Sequence, residues 1–326
     1  MVDKPKYPLP IWYHPIYTEG IHPDARFPRE RYSELISRLK LDEMRDLFSL
    51  NTPTEATRDD LIIGHDPYYV DHFLNGTLEE KAVKRIGLTP WTPQIIPRTL
   101  LLMGGAIAAL NHVAKHGGVA GNMAGGTHHA HYDFGSGYCI FNDLAVCSLI
   151  ALERYKFQRV VILDLDVHQG DGTATILQGV DNILTISLHC QTNFPFRKAE
   201  SNYDLTLPQG AGDEDFLNMV KQAIVLAQDF KPDLLLFQGG VDGLATDALG
   251  KIKVSREGME ARNKLVFDMV VAESIPTVVF MGGGYSKPIS HTIDAFQDLF
   301  ISAYRANNEL LTAQMEQTTH SIYRGN

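Results

Sequence analysis

The segment from Val160 to Gly172, VVILDLDVHQGDG, combines a strongly apolar start with a polar, glycine-containing end. An apolar run that ends in polar residues is typical of a buried parallel strand that leaves its sheet at a loop. Because side chains alternate between the two faces of a strand, Asp164, Asp166 and His168 are predicted to lie on the same face. Two carboxylates and an imidazole are costly to bury unless a cation meets them. The segment therefore predicts a divalent metal site, with ligands that suit zinc, iron or manganese.

Segments typical of buried strands alternate with helical segments along the rest of the chain. The strands are predicted at 11–14, 160–172, 182–189, 232–243 and 276–285. This alternation predicts an α/β fold, a single three-layer α/β/α domain over residues 1–326 with a mainly parallel sheet. Residues 1–10 and about 309–326 are predicted to be peripheral tails. In such sheets the ligand site lies beyond the carboxyl ends of the strands, where the unusual polar residues of this chain also fall.

Further polar residues are predicted to join the metal site at this edge of the sheet. Asp242 ends the strand segment PDLLLFQGGVDG and is the natural third ligand beside Asp166 and His168. Three protein ligands leave a catalytic zinc ion open positions for water and substrate. A zinc ion in such a site lowers the pKa of a bound water to about 7 and polarises a carbonyl oxygen. The pattern therefore indicates metal-assisted hydrolysis.

Two adjacent histidines and a tyrosine supply the remaining chemistry. His128 and His129 are suited to moving protons, and Asp164 and Asp171 are the carboxylates available to fix their tautomers. Tyr285 follows three glycines at a strand end, where its hydroxyl can stabilise a developing oxyanion. A single histidine is usually a satisfied core or surface residue. The histidine pair, the DxDxH segment and the GGGY segment together favour an active site.

The composition excludes several classes of function. The chain has 326 residues, of which 44% are hydrophobic and 21% charged, as in ordinary globular proteins. A formal net charge of -10 and a pI of about 5.7 argue against affinity of the whole molecule for nucleic acid or anionic membranes. Three cysteines without a CxxC spacing indicate neither a disulfide framework nor a cysteine zinc site. No membrane span or signal peptide is predicted, so we expect a cytoplasmic protein.

Four motifs, in order along the chain, resemble the zinc-dependent histone deacetylase family, which has the arginase–deacetylase fold. They are GGTHHA (125–130), DLDVHQGDG (164–172), GGVD (239–242) and GGGY (282–285), and the resemblance extends from about Ile11 to Arg305. The string DLDVHQGDG and the spacing through DGLATDALGKIKVSREGM look closest to the class IV group and its bacterial relatives. The resemblance implies an amidohydrolase that acts on acylated amines.

Matched position by position, the resemblance also implies the roles of single residues. His129, backed by Asp171, is implied as general base and general acid, and His128, backed by Asp164, as its electrostatic partner. Tyr285 is implied as the hydroxyl that polarises the substrate carbonyl. The implied metal ligands bind Zn²⁺, with Fe²⁺ or Co²⁺ as alternatives: Asp166, His168 and Asp242.

Substrate contacts and a second cation are implied in the same way. Gly137 would offer its backbone carbonyl to the substrate amide, Tyr138 and Phe194 would wall the acyl-lysine tunnel, and Gly283 would contact the substrate. Family members usually have Phe where this chain has Tyr138, and the loop 87–97 lacks a clear acidic residue to anchor a peptide backbone. A structural K⁺ is implied at five residues: Asp164, Asp166, His168, Ser187 and Leu188.

Three functional hypotheses follow, and the oligomeric state stays open. The first is a zinc-dependent deacylase of lysine side chains in a protein or peptide, with acyl groups from acetyl to long-chain fatty acyl. The second is a deacetylase of acylated small amines such as acetylpolyamines. The third is a module that binds acyl-lysine without turnover. A two-manganese ureohydrolase like arginase is disfavoured, because its two extra carboxylate positions are Gly170 and Leu244 here.

Overall fold

The computed structural model describes residues 7–324, with side chains as far as residue 316. In this part of the chain eight strands form one sheet in the order β2-β1-β3-β8-β7-β4-β5-β6, and every neighbouring pair is parallel. The predicted parallel sheet is therefore confirmed. The strands are β1 (Leu9–Trp12), β2 (Phe48–Asn51), β3 (Val119–Asn122), β4 (Val160–Asp164), β5 (Ile183–Cys190), β6 (Tyr203–Leu207), β7 (Leu234–Gln238) and β8 (Thr277–Phe280).

Helices cover both faces of this sheet. One group, formed by α6 and α7, packs against β1, β3, β8 and β4, and a second group, α9, α10 and α11, covers β3, β4 and β5. The helices of the described residues are α1 (Ile16–Glu19), α2 (Glu30–Leu39), α3 (Arg58–Leu61), α4 (Pro67–Leu74), α5 (Glu80–Ile86), α6 (Ile95–His116), α7 (Asp143–Tyr155), α8 (Asp171–Leu177), α9 (Asp213–Phe230), α10 (Arg256–Ala272) and α11 (Ser290–Arg324).

The central strands are buried on both faces. All residues of β4, β7 and β8 are buried, which explains their continuous runs of Val, Leu, Ile and Phe. Capping side chains define the starts of two helices. The Asn142 side chain accepts a hydrogen bond from Ala145 N at the start of α7, and the Ser255 side chain accepts one from Gly258 N at the start of α10. These caps fix where the chain turns from the site edge into each helix.

The sequence analysis did not identify β2, β3 and β6. β2 and β6 are the two edge strands and are partly exposed, so their sequences lack a continuous apolar run. β3 is buried, but it reads VAGN and leads into a glycine-rich segment, so it lacks the apolar run of the other central strands. The predicted loop 87–97 is shorter than expected, because α6 already begins at Ile95. Proline is tolerated in the first turn of a helix, which explains Pro97 there.

Both predicted tail boundaries need correction. Leu9 and Pro10 were placed in a peripheral tail but belong to β1, where they pair with Phe48 and Ser49. At the other end, α11 continues to Arg324, and its Leu310 is buried, since no glycine or proline stops the helix near 309. Residues 1–6 and 325–326 lie outside the described residues.

Within the described chain, α6 is the one helix long and apolar enough to cross a membrane by length and composition. Most of its apolar window is buried inside the fold, where it contacts β3 and α7. The core helix of a soluble protein passes the same test, so α6 is weak evidence for a membrane span.

The central position of β7 gives a test of the sheet core. Leu236→Ala removes a fully buried side chain, and we expect the free energy of unfolding to fall by about 2–5 kcal/mol. Val225→Ala, at an exposed position on α9, is the control and should change it by less than about 0.5 kcal/mol. Denaturant unfolding measures both variants, and equal losses in the two would contradict the assigned core.

Candidate active site

The carboxyl ends of three neighbouring strands bring the predicted site residues together. β4 pairs with β7 so that Asp164 lies opposite Gln238, and β7 pairs with β8 so that Gln238 lies opposite Phe280. The segments that follow these strands carry Asp166 and His168, Asp242, and Tyr285. The glycine-rich segment after β3 adds the histidine pair, because β3 is the other neighbour of β8. The edge predicted for the site is therefore where its residues lie.

Asp166, His168 and Asp242 form a buried cluster that could hold a metal ion. Each offers one ligand atom, and these atoms lie within 4.8 Å of one another. His168 Nδ1 is 2.9 Å from Asp242 Oδ2 and 3.1 Å from Asp166 Oδ1. Burial, together with the negative charge of Asp166, raises the pKa of Asp242 to about 7. Two carboxylates held this closely in a dry site fit a divalent cation, which would relieve their repulsion.

Backbone donors hold the two carboxylates in place. Val167 N donates to Asp242 Oδ1 at 2.9 Å, and His168 N donates to Asp166 Oδ1 at 3.0 Å. Gly283 N donates to the other oxygen of Asp166 at 2.8 Å. A Cβ atom at Gly283 would lie 2.0 Å from Asp242 Oδ2, so a side chain at this position is excluded. The middle glycine of the GGGY motif is therefore needed for packing against the ligands.

The two adjacent histidines have opposite electrostatic environments. His128 Nδ1 is 2.6 Å from Asp164 Oδ2, and His129 Nδ1 is 2.7 Å from Asp171 Oδ1. Burial lowers the pKa of His128, but the charges of Asp164 and Asp166 outweigh it and raise the pKa to about 9. Burial and the nearby His128 lower the pKa of His129 to about 4, although the hydrogen bond with Asp171 raises it. At neutral pH His129 is thus uncharged beside a positively charged His128.

The start of α7 anchors the segment that carries these histidines. Asp143 accepts hydrogen bonds from Gly126 N at 2.9 Å and from Thr127 N at 2.8 Å. The Asn142 side-chain amide donates to the carbonyl of Ala130 at 3.0 Å, in addition to capping the helix. The role of Asp143 was not identified from the sequence. The signal available in the sequence was that this acidic residue directly follows the helix-capping Asn142 and comes after a glycine-rich segment.

Tyr285 is positioned by its backbone and by the rings around it. Its backbone N donates to Asp247 Oδ2 at 2.6 Å, and its ring centroid lies 6.1 Å from Phe27 and 6.0 Å from Tyr138. Burial raises the pKa of the Tyr285 hydroxyl well above its ordinary value, so the hydroxyl remains a proton donor. Asp247 and Phe27 were not identified from the sequence. Arg31 donates to Gly284 O at 3.3 Å.

A cavity of about 520 Å³ reaches from the surface to these residues. Tyr138 and Phe194 line it, and the Phe194 ring lies 4.9 Å from the His129 ring in an edge-to-face contact. Tyr138 adopts a left-handed backbone with φ of 68°, where its N–H donates to Ile86 O at 2.8 Å. Gly137 also lines the cavity, and a Cβ atom there would lie 2.6 Å from His129 Cδ2.

The deep end of the cavity is lined by two buried arginines, Arg31 and Arg98. Arg98 Nε donates to Tyr17 O at 3.0 Å, whereas Arg31 Nε is buried without a hydrogen-bond partner. Within the described residues neither guanidinium forms an ion pair with a carboxylate. Buried cations without a counter-ion are unusual in proteins, so this end of the cavity is suited to an anion.

The residues implied for the structural K⁺ are also close together and buried. Asp164 of β4 lies opposite Ser187 of β5, and the Ser187 hydroxyl is 3.0 Å from His189 Nδ1. Leu188 follows in β5, and Asp166 and His168 follow β4. Potassium binding at this position stays a prediction.

Comparison with known proteins agrees with this geometry. A family model of the histone deacetylase domain matches residues 25–298, so the chain belongs to the histone deacetylase family. An uncharacterized protein of Picosynechococcus sp. is 40% identical over 86% of this chain and 93% of its own length. Histone deacetylase 2 of Arabidopsis thaliana is 27% identical over 86% of this chain and 74% of its own, and a histone deacetylase-like amidohydrolase of Pseudomonas aeruginosa is 28% identical over 86% and 77%.

A solved structure supports the fold assignment. The chain superposes on an acetylpolyamine aminohydrolase from Burkholderia pseudomallei with a TM-score of 0.73 and 19% identity, covering 90% of this chain and 98% of that one. At this identity the similarity establishes the fold, and the predicted arginase–deacetylase fold is confirmed. The family acts as hydrolases on acylated amines, so the predicted class of enzyme is confirmed as well.

The cluster of Asp166, His168 and Asp242 predicts that added metal stabilises the protein. We expect Zn²⁺ to raise the melting temperature of chelator-treated protein by several degrees, since a ligand at about 100 times its Kd contributes about 2.7 kcal/mol. Asp242→Asn should abolish the shift, and Asp268→Asn, at an exposed position on α10, should retain it. Differential scanning fluorimetry measures all three proteins. A full shift in Asp242→Asn would contradict the assigned ligands.

Proposed function

We propose that this protein is a zinc-dependent amidohydrolase that removes acyl groups from lysine side chains. The observation that carries the proposal is the convergence on one cavity of the ligand cluster, of His129 with its hydrogen bond to Asp171, and of Tyr285. Each group suits a different part of amide hydrolysis. The ligand cluster would hold the metal charge, His129 would act as a base for water, and Tyr285 would donate a hydrogen bond to the carbonyl oxygen.

The metal would be held by Asp166, His168 and Asp242, and Fe²⁺ or Co²⁺ could replace Zn²⁺ with the same ligands. When bound, it would supply a Lewis acid that acidifies water and polarises the amide carbonyl. The implied K⁺ at β4 and β5 would add a fixed positive charge near the ligand strand.

His129 is the proposed proton carrier. Its Nδ1 is engaged with Asp171, which leaves Nε2 as the nitrogen that accepts a proton from the attacking water. The same nitrogen then gives that proton to the leaving amine. His128 stays positively charged through Asp164 and stabilises negative charge that develops in the transition state. A neutral histidine can accept a proton as general base, and a charged histidine beside it can stabilise a developing negative charge.

Tyr285 and the tunnel walls are proposed to hold the substrate. The Tyr285 hydroxyl donates to the carbonyl oxygen as it becomes an oxyanion, a contribution worth about 10²–10³ in rate. Gly137 offers its backbone carbonyl to the amide N–H, with Gly283 nearby, and Tyr138 and Phe194 enclose the alkyl chain of the lysine. The guanidinium groups at the deep end, Arg31 and Arg98, favour the carboxylate product over the neutral acyl group.

The finer substrate assignments are part of the same proposal. We propose acyl groups from acetyl to longer chains, as the resemblance to the class IV group implies. A small acylated amine such as an acetylpolyamine is the alternative substrate. Its support is the fold that this chain shares with an acetylpolyamine aminohydrolase. A cytoplasmic setting is consistent with three buried, free cysteines at 139, 147 and 190.

A ladder of acyl-lysine peptides tests the proposed reaction. We expect turnover of acetyl-, butyryl-, octanoyl- or myristoyl-lysine peptides that a chelator abolishes and added Zn²⁺ restores. Acetylspermidine measured in parallel tests the alternative substrate, and the preferred substrate is the one with the highest kcat/KM. Absence of turnover on every member, in protein shown to contain metal, would contradict the proposed substrate class.

A hydroxyl deletion tests the role of Tyr285. In Tyr285→Phe we expect kcat to fall by about 10²–10³-fold with little change in KM, since the hydroxyl acts on the transition state. Tyr68→Phe, at an exposed position on α4, loses the same atom and should leave both constants unchanged. Steady-state kinetics on an acetyl-lysine peptide compare the two variants. Wild-type kcat in Tyr285→Phe would rule out this role.

A further inference from the structure

The exposed residues that line the cavity mark its mouth, and two of them are basic. Arg85 lies at the end of α5, directly before Ile86, whose carbonyl accepts the backbone N–H of Tyr138. Lys251 lies on a loop that also carries Leu249. The Leu249 carbonyl accepts a hydrogen bond from the side chain of Asn193, the residue before Phe194. The two cations therefore belong to the two walls of the tunnel. Arg85 belongs to the wall formed by Tyr138, and Lys251 belongs to the wall formed by Phe194.

Both cations are held in place at the mouth. The Arg85 guanidinium lies 4.5 Å from the centroid of the Phe134 ring, a cation–π distance. Lys251 Nζ donates to Thr192 O at 2.6 Å, and Lys251 N donates to Asn193 Oδ1 at 3.0 Å. The ammonium still has two further hydrogens to donate, and the guanidinium retains its N–H groups. Each cation is therefore positioned with donors available to an incoming anion.

Neither cation is neutralised by a neighbouring carboxylate. Across the described residues, Arg85 and Lys251 form no ion pair, whereas Lys84 on the same helix as Arg85 pairs with Glu80 at 2.5 Å. The one carboxylate among the cavity-lining residues of the described chain is Asp166, which is assigned to the metal. The mouth is thus positive in a chain whose formal net charge is -10.

The charge of the mouth selects against some substrates and in favour of others. Long-range electrostatics raise the local concentration of ligands of opposite charge, so an anionic substrate gains and a polycationic amine loses. Apolar surface lies beside the cations, because Phe196 is 87% exposed and Leu249 is 44% exposed at the same mouth. Cations on both walls, together with exposed apolar side chains at the same mouth, suit a chain that carries acidic groups near the acylated lysine.

We propose that Arg85 and Lys251 are specificity-determining residues that direct the site to acyl-lysines flanked by acidic residues in a peptide or protein. This inference rests on the proposed deacylase function and names the substrate class of the same site. Their action is on encounter and binding, so the preference is expressed in KM and kcat/KM and not in kcat.

Charge-matched peptides test this proposal. The substrates are three blocked tripeptide amides with central acetyl-lysine, flanked on both sides by Asp, Asn or Arg, at about 0.05 M and about 0.5 M salt. We expect kcat/KM to be highest for the Asp-flanked peptide, intermediate for the Asn-flanked peptide and lowest for the Arg-flanked peptide. At low salt each charge pair should change kcat/KM by about two- to fivefold, and the differences between the peptides should be smaller at high salt. The spread should largely disappear in the double variant Arg85→Gln/Lys251→Gln.

Matched neutralisations near the mouth serve as controls. Lys84→Gln and Lys253→Gln remove equally exposed cations from the same helix and the same loop, outside the cavity, and should leave the preference unchanged. A single blocked acetyl-lysine with a free α-carboxylate is compared with its carboxamide. This comparison shows whether a small anionic substrate gains as much in kcat/KM as the acidic peptide does. An equal gain in kcat/KM would overturn the assignment to peptides.

The outcomes separate this proposal from the one on which it rests. Equal kcat/KM for all three peptides, or a preference for the Arg-flanked peptide or acetylspermidine, would overturn the role of the mouth while leaving the deacylase function intact. A preference for Asp that survives the double variant would also overturn it. No turnover on any substrate would overturn the deacylase function and this inference together.

Discussion

The burial of three carboxylates and two histidines at the end of one sheet is the constraint on which the rest of the structure depends. Asp164, Asp166 and Asp242 are buried, and uncompensated negative charge is costly in a buried position. The protein compensates this charge with His128, with His168 and with backbone donors such as Gly283 N. A divalent cation bound to Asp166, His168 and Asp242 would complete the compensation. The parallel sheet is what makes this concentration possible, since it brings three strand ends to one edge.

The same constraint explains how two neighbouring residues of one type acquire different functions. His128 and His129 are adjacent in sequence, yet His128 interacts with two carboxylates, Asp164 and Asp166, whereas His129 interacts with Asp171 and lies beside His128 itself. Burial, reinforced by the positive charge of His128, lowers the pKa of His129 and keeps it neutral. The charge of His128 and the basicity of His129 therefore come from one arrangement of carboxylates. These carboxylates lie on β4 and in the segment that follows it.

Much of the site could be predicted from the sequence because each chemical group ends a strand. Asp166 and His168 lie together in the short segment directly after β4, and the residues that follow β7 and β8 must be their neighbours in a parallel sheet. Asp143, Asp247 and the deep arginines were missed, since their importance comes from contacts between segments far apart in the chain. The edge strands β2 and β6 were missed for a related reason: a half-exposed strand lacks the continuous apolar run of a central one.

The central claim is that one metal ion at Asp166, His168 and Asp242 makes this cavity a hydrolase, and a combined titration tests it most directly. Zinc is added stepwise to chelator-treated protein while hydrolysis of an acyl-lysine peptide is followed. The account predicts negligible activity without metal and a linear rise that ends at one equivalent per chain. Full activity in metal-free protein, or a requirement for a second equivalent, would contradict it.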